Sequence, residues 1–200
     1  AVPLANPLSA ELGVMRTALL PGLVASLARN VARQQPRVRL FELGKVFARR
    51  EAEAPRETLR IAAAACGSAA REQWGRRERE VDFHDLKGDL DSLAALAGAG
   101  LEYRRSQATW AHPGRSAEVF RDGRPLGWIG QLHPRLQQAL DLDLPVVAFE
   151  LDLEPLLARV LPRGGRAAVP RQRALVRAVG GRVCAHRGLV ASAAGIARRG

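Results

Sequence analysis

The dipeptide Asp122-Gly123 constrains this chain more than any other feature. It lies between "SAEVFRD" (116–122) and "PLGWIGQL" (125–132), two short runs rich in apolar residues. Asp and Gly both tolerate the positive φ that a tight hairpin demands, so the backbone reverses here into two antiparallel strands. Further strand-like runs fit beside that hairpin: "LEYRR" (101–105), "PVVAFELDL" (145–153), "RVRLFELGKVF" (37–47) and the alanine-rich "LRIAAAAC" (59–66). In the third of these, Val38 and Leu40 share one face while Arg39, Phe41 and Leu43 share the other, as in a strand partly buried on both sides.

Helices alternate with these strands. Leu20, Leu23, Val24, Leu27 and Val31 fall at i, i+3, i+4, i+7 and i+11, one apolar stripe of a helix. Pro21 suits its first turn, and Pro36 places its end near residues 34–36. Phe83, Leu86, Leu90, Leu93 and Ala97 line a second helix, with Asp82 at the N-cap and Gly98 past the end. Pro134 opens a short third helix through Leu140, and residues 154–161 form a closing turn or two. Hairpin-linked strands with helices between them predict an α+β fold, a mostly antiparallel sheet flanked by helices.

The pattern stops after Pro162. The last acid is Glu154, and from Arg163 the tail carries nine arginines. The formal charge of +11 is therefore a property of the tail, because the rest, with 22 basic and 20 acidic residues, is nearly neutral. Residues 1–162 are expected to form one core domain, and residues 163–200 a basic, disordered tail too poor in apolar surface to offset its ordering entropy. No run approaches the roughly 18 apolar residues of a membrane span. Cys66 and Cys184 are too few for a disulfide framework, which points to a reducing, cytoplasmic setting. The chain opens in mid-pattern with Met15 as its only methionine, as a piece of something longer does.

Residues that carry chemistry are sparse. His112 and His133 each precede a proline and bracket the predicted hairpin. No helical i, i+4 histidine pair and no adjoining cysteine completes a zinc pattern. Two X-Pro turns whose imidazoles cap nearby backbone are expected instead. Asp82, Asp85 and Asp89 recur at i, i+3 and i+7, which predicts a solvated helix face with Lys87 pairing at i±3 or i±4. No glycine-rich strand-to-helix loop offers a phosphate cradle. Ser9 and Ser116 lack a nucleophile elbow. Trp74, Trp110 and Trp128 are dispersed along the chain and predict no stacking platform.

Six segments, in this order and spacing, carry a resemblance: the run from "LANPLSAELGVMRTALLPGL" onward, "RVRLFELGKVF", "VDFHDLKGDLDSL", "AHPGRSAEV", "IGQLHP" and "FELDL". Together they resemble the β subunit of bacterial phenylalanyl-tRNA synthetase, over residues 2–162. The resemblance implies a class II aminoacyl-tRNA synthetase-like core near that subunit's C-terminal end. It also implies an α2β2 enzyme that joins phenylalanine to its tRNA using ATP and magnesium. In that family the adenylation site belongs to α, and the β core has lost the catalytic residues. An active class II site places an arginine on a strand reading roughly Arg-x-Glu; here "RLFELG" puts Phe41 directly before Glu42. The glycine-rich third signature has no counterpart before Pro162. No catalytic, cofactor-binding or metal-ligating residue is therefore assigned to this chain.

The resemblance further implies that "NPLS", "FELG" and the two His-Pro sites shape the fold and its contact with α. The family's magnesium-binding acids lie upstream of this piece and its tRNA-anticodon module downstream. After Arg171 the chain departs from the family: an acid-free Arg/Ala/Gly/Val tract stands where a ferredoxin-like module begins. Such a tract is what a GC-rich message yields out of frame, so a frameshift near Arg171 is expected, with a genuine basic tail as the alternative. Absence of a ferredoxin-like pattern from both other reading frames refutes the shift. Two other functions compete with this one: a nucleic-acid-binding module acting through the tail, and a hydrolase using His112 and His133.

Overall fold

The computed structural model describes residues 2–3, 13–49, 54–75 and 77–158. In chain order, β1 (Val2–Pro3) pairs with β2 (Val14–Met15) as a small separate ribbon. Then come α1 (Leu20–Val31), β3 (Arg37–Ala48), β4 (Arg56–Gly67), α2 (Phe83–Leu96), β5 (Glu102–Arg105), β6 (Ala111–Arg121), β7 (Arg124–Leu132), α3 (Pro134–Ala139), β8 (Val147–Asp152) and α4 (Leu153–Leu157). The main sheet has six strands in the order β3-β4-β8-β7-β6-β5, and every neighbouring pair is antiparallel. The expected α+β class with an antiparallel sheet is what the chain forms.

Period-two alternation distributes the central strands between two cores. Along β4, Ile61, Ala63 and Ala65 join the cluster under α2 and α4, while Ala62, Ala64 and Cys66 join the cluster under α1. Residues 61–66 are all nearly inaccessible. The alanines are therefore packing residues: both faces of β4 are covered, and small side chains let the layers approach. α1 contributes Leu20, Leu23, Val24 and Leu27 to its face, and α2 contributes Leu86, Leu90, Leu93 and Ala94 to the other.

Local chemistry sets the boundaries. Asp82 caps α2, accepting from the His84 and Asp85 N–H groups, and Asp85 returns the bond to the Asp82 N–H in a capping box. α1 ends at Val31, earlier than Pro36 alone predicts, because Gln34 turns into the left-handed region at φ 58°. The Asp122-Gly123 hairpin forms with both residues at positive φ. Two irregularities follow. Val119 pairs with Gly127 but Phe120 pairs with Pro125, so Leu126 is an extra residue in β7. It turns into the α2 core beside Ile129, whereas Trp128 faces the α1 core.

The second irregularity corrects an expectation. His112-Pro113-Gly114 is not a turn outside the hairpin. It lies within β6, in a register shift between Ala111 and Ser116. Pro113 is tolerated because β5 pairs β6 only over residues 117–120, leaving this stretch on an open edge. α4 is also shorter than expected, ending at Leu157, where the buried Arg121 donates to the carbonyls of Pro155 and Leu156 at 3.2 and 2.6 Å.

Candidate functional site

Two helices close one face of the sheet. The other face is only partly closed, by α1, and beside that helix lies an open, mainly apolar recess. Its volume is about 770 Å³. α1 and α3 form its sides, β7 and β8 its floor. Leu20, Val24, Trp128 and Leu132 line its interior, and the half-exposed Trp110, Leu136 and Leu140 stand at its mouth. Trp110 and Trp128 stack with ring centroids 4.3 Å apart at a tilt of 51°. Sequence spacing left the tryptophans dispersed; the long irregular segment 106–110 and the β6–β7 pairing bring these two together. Trp74 stays apart and exposed.

One wall of the recess is ionic. Arg60 of β4 donates from Nη1 to Glu150 Oε1 at 2.9 Å and from Nε to Asp152 Oδ1 at 2.7 Å. Burial opposes its charge, but the two carboxylate bonds outweigh that cost and raise the guanidinium pKa above its ordinary value. Glu150 also holds α1. The N-cap residue of that helix is Leu19, which has no side-chain oxygen to offer. The Leu19 N–H reaches both Glu150 oxygens at 3.1 Å, and the Leu20 N–H reaches Oε2 at 2.9 Å. A buried carboxylate 131 residues away thus does the work of an N-cap, where negative charge also complements the helix dipole.

The acids of α2 are placed differently from the sequence expectation. Asp82 is exposed, but Asp85 binds Arg79 through two bonds of 2.7 and 2.6 Å. Asp89 turns toward the sheet, 3.4 Å from the buried Arg39. Of these three acids only Asp82 is fully solvated. The reason is tertiary: Arg39 emerges from β3 beneath the position that periodicity assigned to solvent. The Arg79 hydrogen bonds hold the Asp85 carboxyl below the usual carboxylate range. Lys87 pairs with Asp91 at i+4, 2.7 Å away, and sits over the Tyr103 ring.

Both proline-flanked histidines cap backbone. His112 Nδ1 accepts from the Gly114 N–H, and His133 Nδ1 accepts from the Arg135 N–H at the start of α3, each at 3.1 Å. Ser116 donates to the His112 carbonyl at 2.8 Å. Among the described residues, no three His, Cys, Asp or Glu side chains gather as a metal-binding set. None of the described helices is long and apolar enough to cross a membrane. "NPLS", Ser9, Cys184, His186 and the basic tail lie outside the described residues.

Fold and site together define an α+β domain on an antiparallel sheet, with an internally neutralised arginine and an open recess on one face. Comparison with known proteins places it more narrowly. Residues 1–153 match the family described as phenylalanyl tRNA synthetase beta chain CLM domain, and the chain belongs to that family. It is 64% identical over 165 residues to the phenylalanine–tRNA ligase beta subunit of Xanthomonas campestris pv. campestris (strain 8004), an overlap of 82% of this chain and 21% of that protein. The beta subunit of Xanthomonas axonopodis pv. citri (strain 306) is 62% identical over 166 residues, with the same coverage. That of Xylella fastidiosa (strain Temecula1) is 60% identical over 164 residues, covering 81% of this chain and 21% of that protein. The chain thus spans about a fifth of the length of the relatives it matches.

Proposed function

We propose that this chain is the synthetase-like core of a phenylalanine–tRNA ligase β subunit, acting as a non-catalytic scaffold that contacts the α subunit. The whole enzyme is then a cytoplasmic α2β2 ligase that attaches phenylalanine to its tRNA with ATP and magnesium. The observation that carries the reading is 64% identity over 165 residues to a chain of that name. The fold supports a class II-like core, since that architecture is an antiparallel sheet flanked by helices. The core is assigned to residues 1–162 and a separate basic tail to 163–200. The family match, ending at residue 153, fits that division.

The recess does not suit ATP or magnesium. A triphosphate needs unspent guanidinium or backbone N–H donors. On the recess face the arginine is already spent on two carboxylates, and Glu150 takes the N–H groups that open α1. That wall carries a net negative charge and repels phosphate. We accordingly assign the nucleotide site to α, as the family resemblance implies, and derive no catalytic step for this chain.

The test is co-expression of the full chain with the α subunit from the same source, with the mass of the purified complex read by light scattering. A stable complex is expected. A soluble, folded chain that fails to associate refutes the scaffold role. The competing reading, a nucleic-acid-binding module, predicts tRNA binding that weakens steeply with salt and disappears when residues 163–200 are deleted.

A further inference from the structure

The recess beside α1 has the volume of a small-molecule site, within the usual range of about 300–1,000 Å³. Its chemistry is uneven. Leucines, Val24 and the stacked Trp110–Trp128 pair make most of its surface, and the charges lie together on one wall. On that wall Arg60 faces Glu150 and Asp152, which leaves one negative charge in excess.

The two carboxylates are not equivalent. Glu150 is nine-tenths buried, and both its oxygens are engaged by Arg60 and the first N–H groups of α1. Asp152 is more open, at 27% exposure, and only its Oδ1 is engaged, by the Arg60 Nε. Its position sharpens the point. Asp152 is the N-cap residue of α4, where an aspartate ordinarily accepts from the helix N–H groups. Here it makes no capping bond at all. The side chain has turned from its own helix to the Arg60 wall of the recess. Among the described residues no donor reaches Oδ2.

From the aromatic pair, the excess negative charge and the uncommitted carboxylate oxygen, we infer that this recess binds a small organic cation, an ammonium compound with an aromatic or apolar body. The ammonium donates to Asp152 Oδ2. The body lies in the apolar part of the recess against Trp110 and Trp128, where ring faces also favour a nearby cation. An anion of the same shape is disfavoured by the acidic wall. Nothing in this assignment depends on the ligase reading.

The experiment uses the full chain and two probes of one shape and opposite charge, 2-phenylethylammonium and 3-phenylpropanoate, followed by tryptophan fluorescence and calorimetry at neutral pH. The ammonium probe is expected to saturate with a Kd below about 10 mM and to bind at least about tenfold more tightly than the carboxylate. Asp152→Asn is expected to weaken it by about tenfold. Circular dichroism checks that this variant is folded. Trp110→Ala, at a half-exposed residue, supplies a second variant that loses binding should Asp152→Asn not fold. No saturation by the ammonium probe overturns the assignment, as does equal binding of the two probes. Binding that responds to Trp110→Ala but not to head-group charge also overturns it, and makes the recess a seat for an apolar side chain of a neighbouring polypeptide.

Discussion

Replacing Glu150 with glutamine tests the account of how α1 is held. The substitution keeps size and shape but removes the charge and turns one acceptor oxygen into a donor. In the native protein the carboxylate receives the Leu19 and Leu20 N–H groups and one Arg60 nitrogen. Whichever way the new amide points, its NH2 group faces either those N–H groups or the guanidinium, and neither can accept. Loss of the charged cap costs about 1 kcal/mol, and a buried donor left without an acceptor costs about 1–3 kcal/mol more. Arg60 keeps Asp152 and is 31% exposed, so water offsets much of its loss. The expected destabilisation is about 2–4 kcal/mol, large against the 5–15 kcal/mol of a typical domain. Urea unfolding of the full chain, monitored by circular dichroism, measures it from the shift in midpoint at constant slope. Arg60→Met is expected to cost less, about 1 kcal/mol, because Glu150 retains its backbone donors. A Glu150→Gln loss below about 0.5 kcal/mol, within the scatter of ordinary surface substitutions, refutes the idea that this carboxylate anchors the helix.

Other consequences can be measured on the same chain. Gly127 has φ +156°, and a Cβ there meets the Glu150 carbonyl on the next strand; Gly127→Ala should destabilise by about 3 kcal/mol in the same assay. His133→Ala removes the side-chain acceptor at the start of α3 and should cost about 1 kcal/mol, while Trp fluorescence of the native state stays unchanged. Burial pushes the Cys66 thiol up to about 11, so in a Cys184→Ser background a thiol reagent should label the native protein far more slowly than the urea-unfolded one. Asp85 has its pKa lowered on folding by the Arg79 hydrogen bonds. Its contribution to stability is complete above the unfolded aspartate value of about 3.9 and is lost as pH falls through the lower folded value. Asp85→Asn should therefore flatten the stability profile below about pH 4, and an unchanged acid limb contradicts the pairing.

Much of the fold was legible because its determinants are local. The stripe from Leu20 to Val31, the Asp82 cap and the Asp122-Gly123 turn each lie within one element or its flank, and α1, α2 and the β6–β7 hairpin form where they indicate. The histidines were legible for the same reason, since a ring nitrogen two residues from the amide it caps needs no tertiary information. The alanine run at 62–65 was harder to read. Alanine has no strong strand preference, and its role in β4 emerges only when helices cover both faces. The α2 acids were misplaced in part because periodicity marks a helix face but does not tell which charge of another strand lies beneath it. Asp89 meets Arg39 across the layers.

Sequence alone determined most of the segments, the apolar stripes of α1 and α2, the Asp122-Gly123 hairpin and the family, because each depends on short-range backbone chemistry or on the order of motifs along the chain. The position of β8 was decided only by the tertiary structure. Inserted between β4 and β7, this late strand carries Glu150 to the start of α1 and Asp152 to Arg60. The stacking of Trp110 on Trp128 and the recess beside them follow from the same arrangement of the sheet and its bulges. No local rule foretells these contacts. Each depends on which strands become neighbours, and the burial of both faces of the central strands decides that.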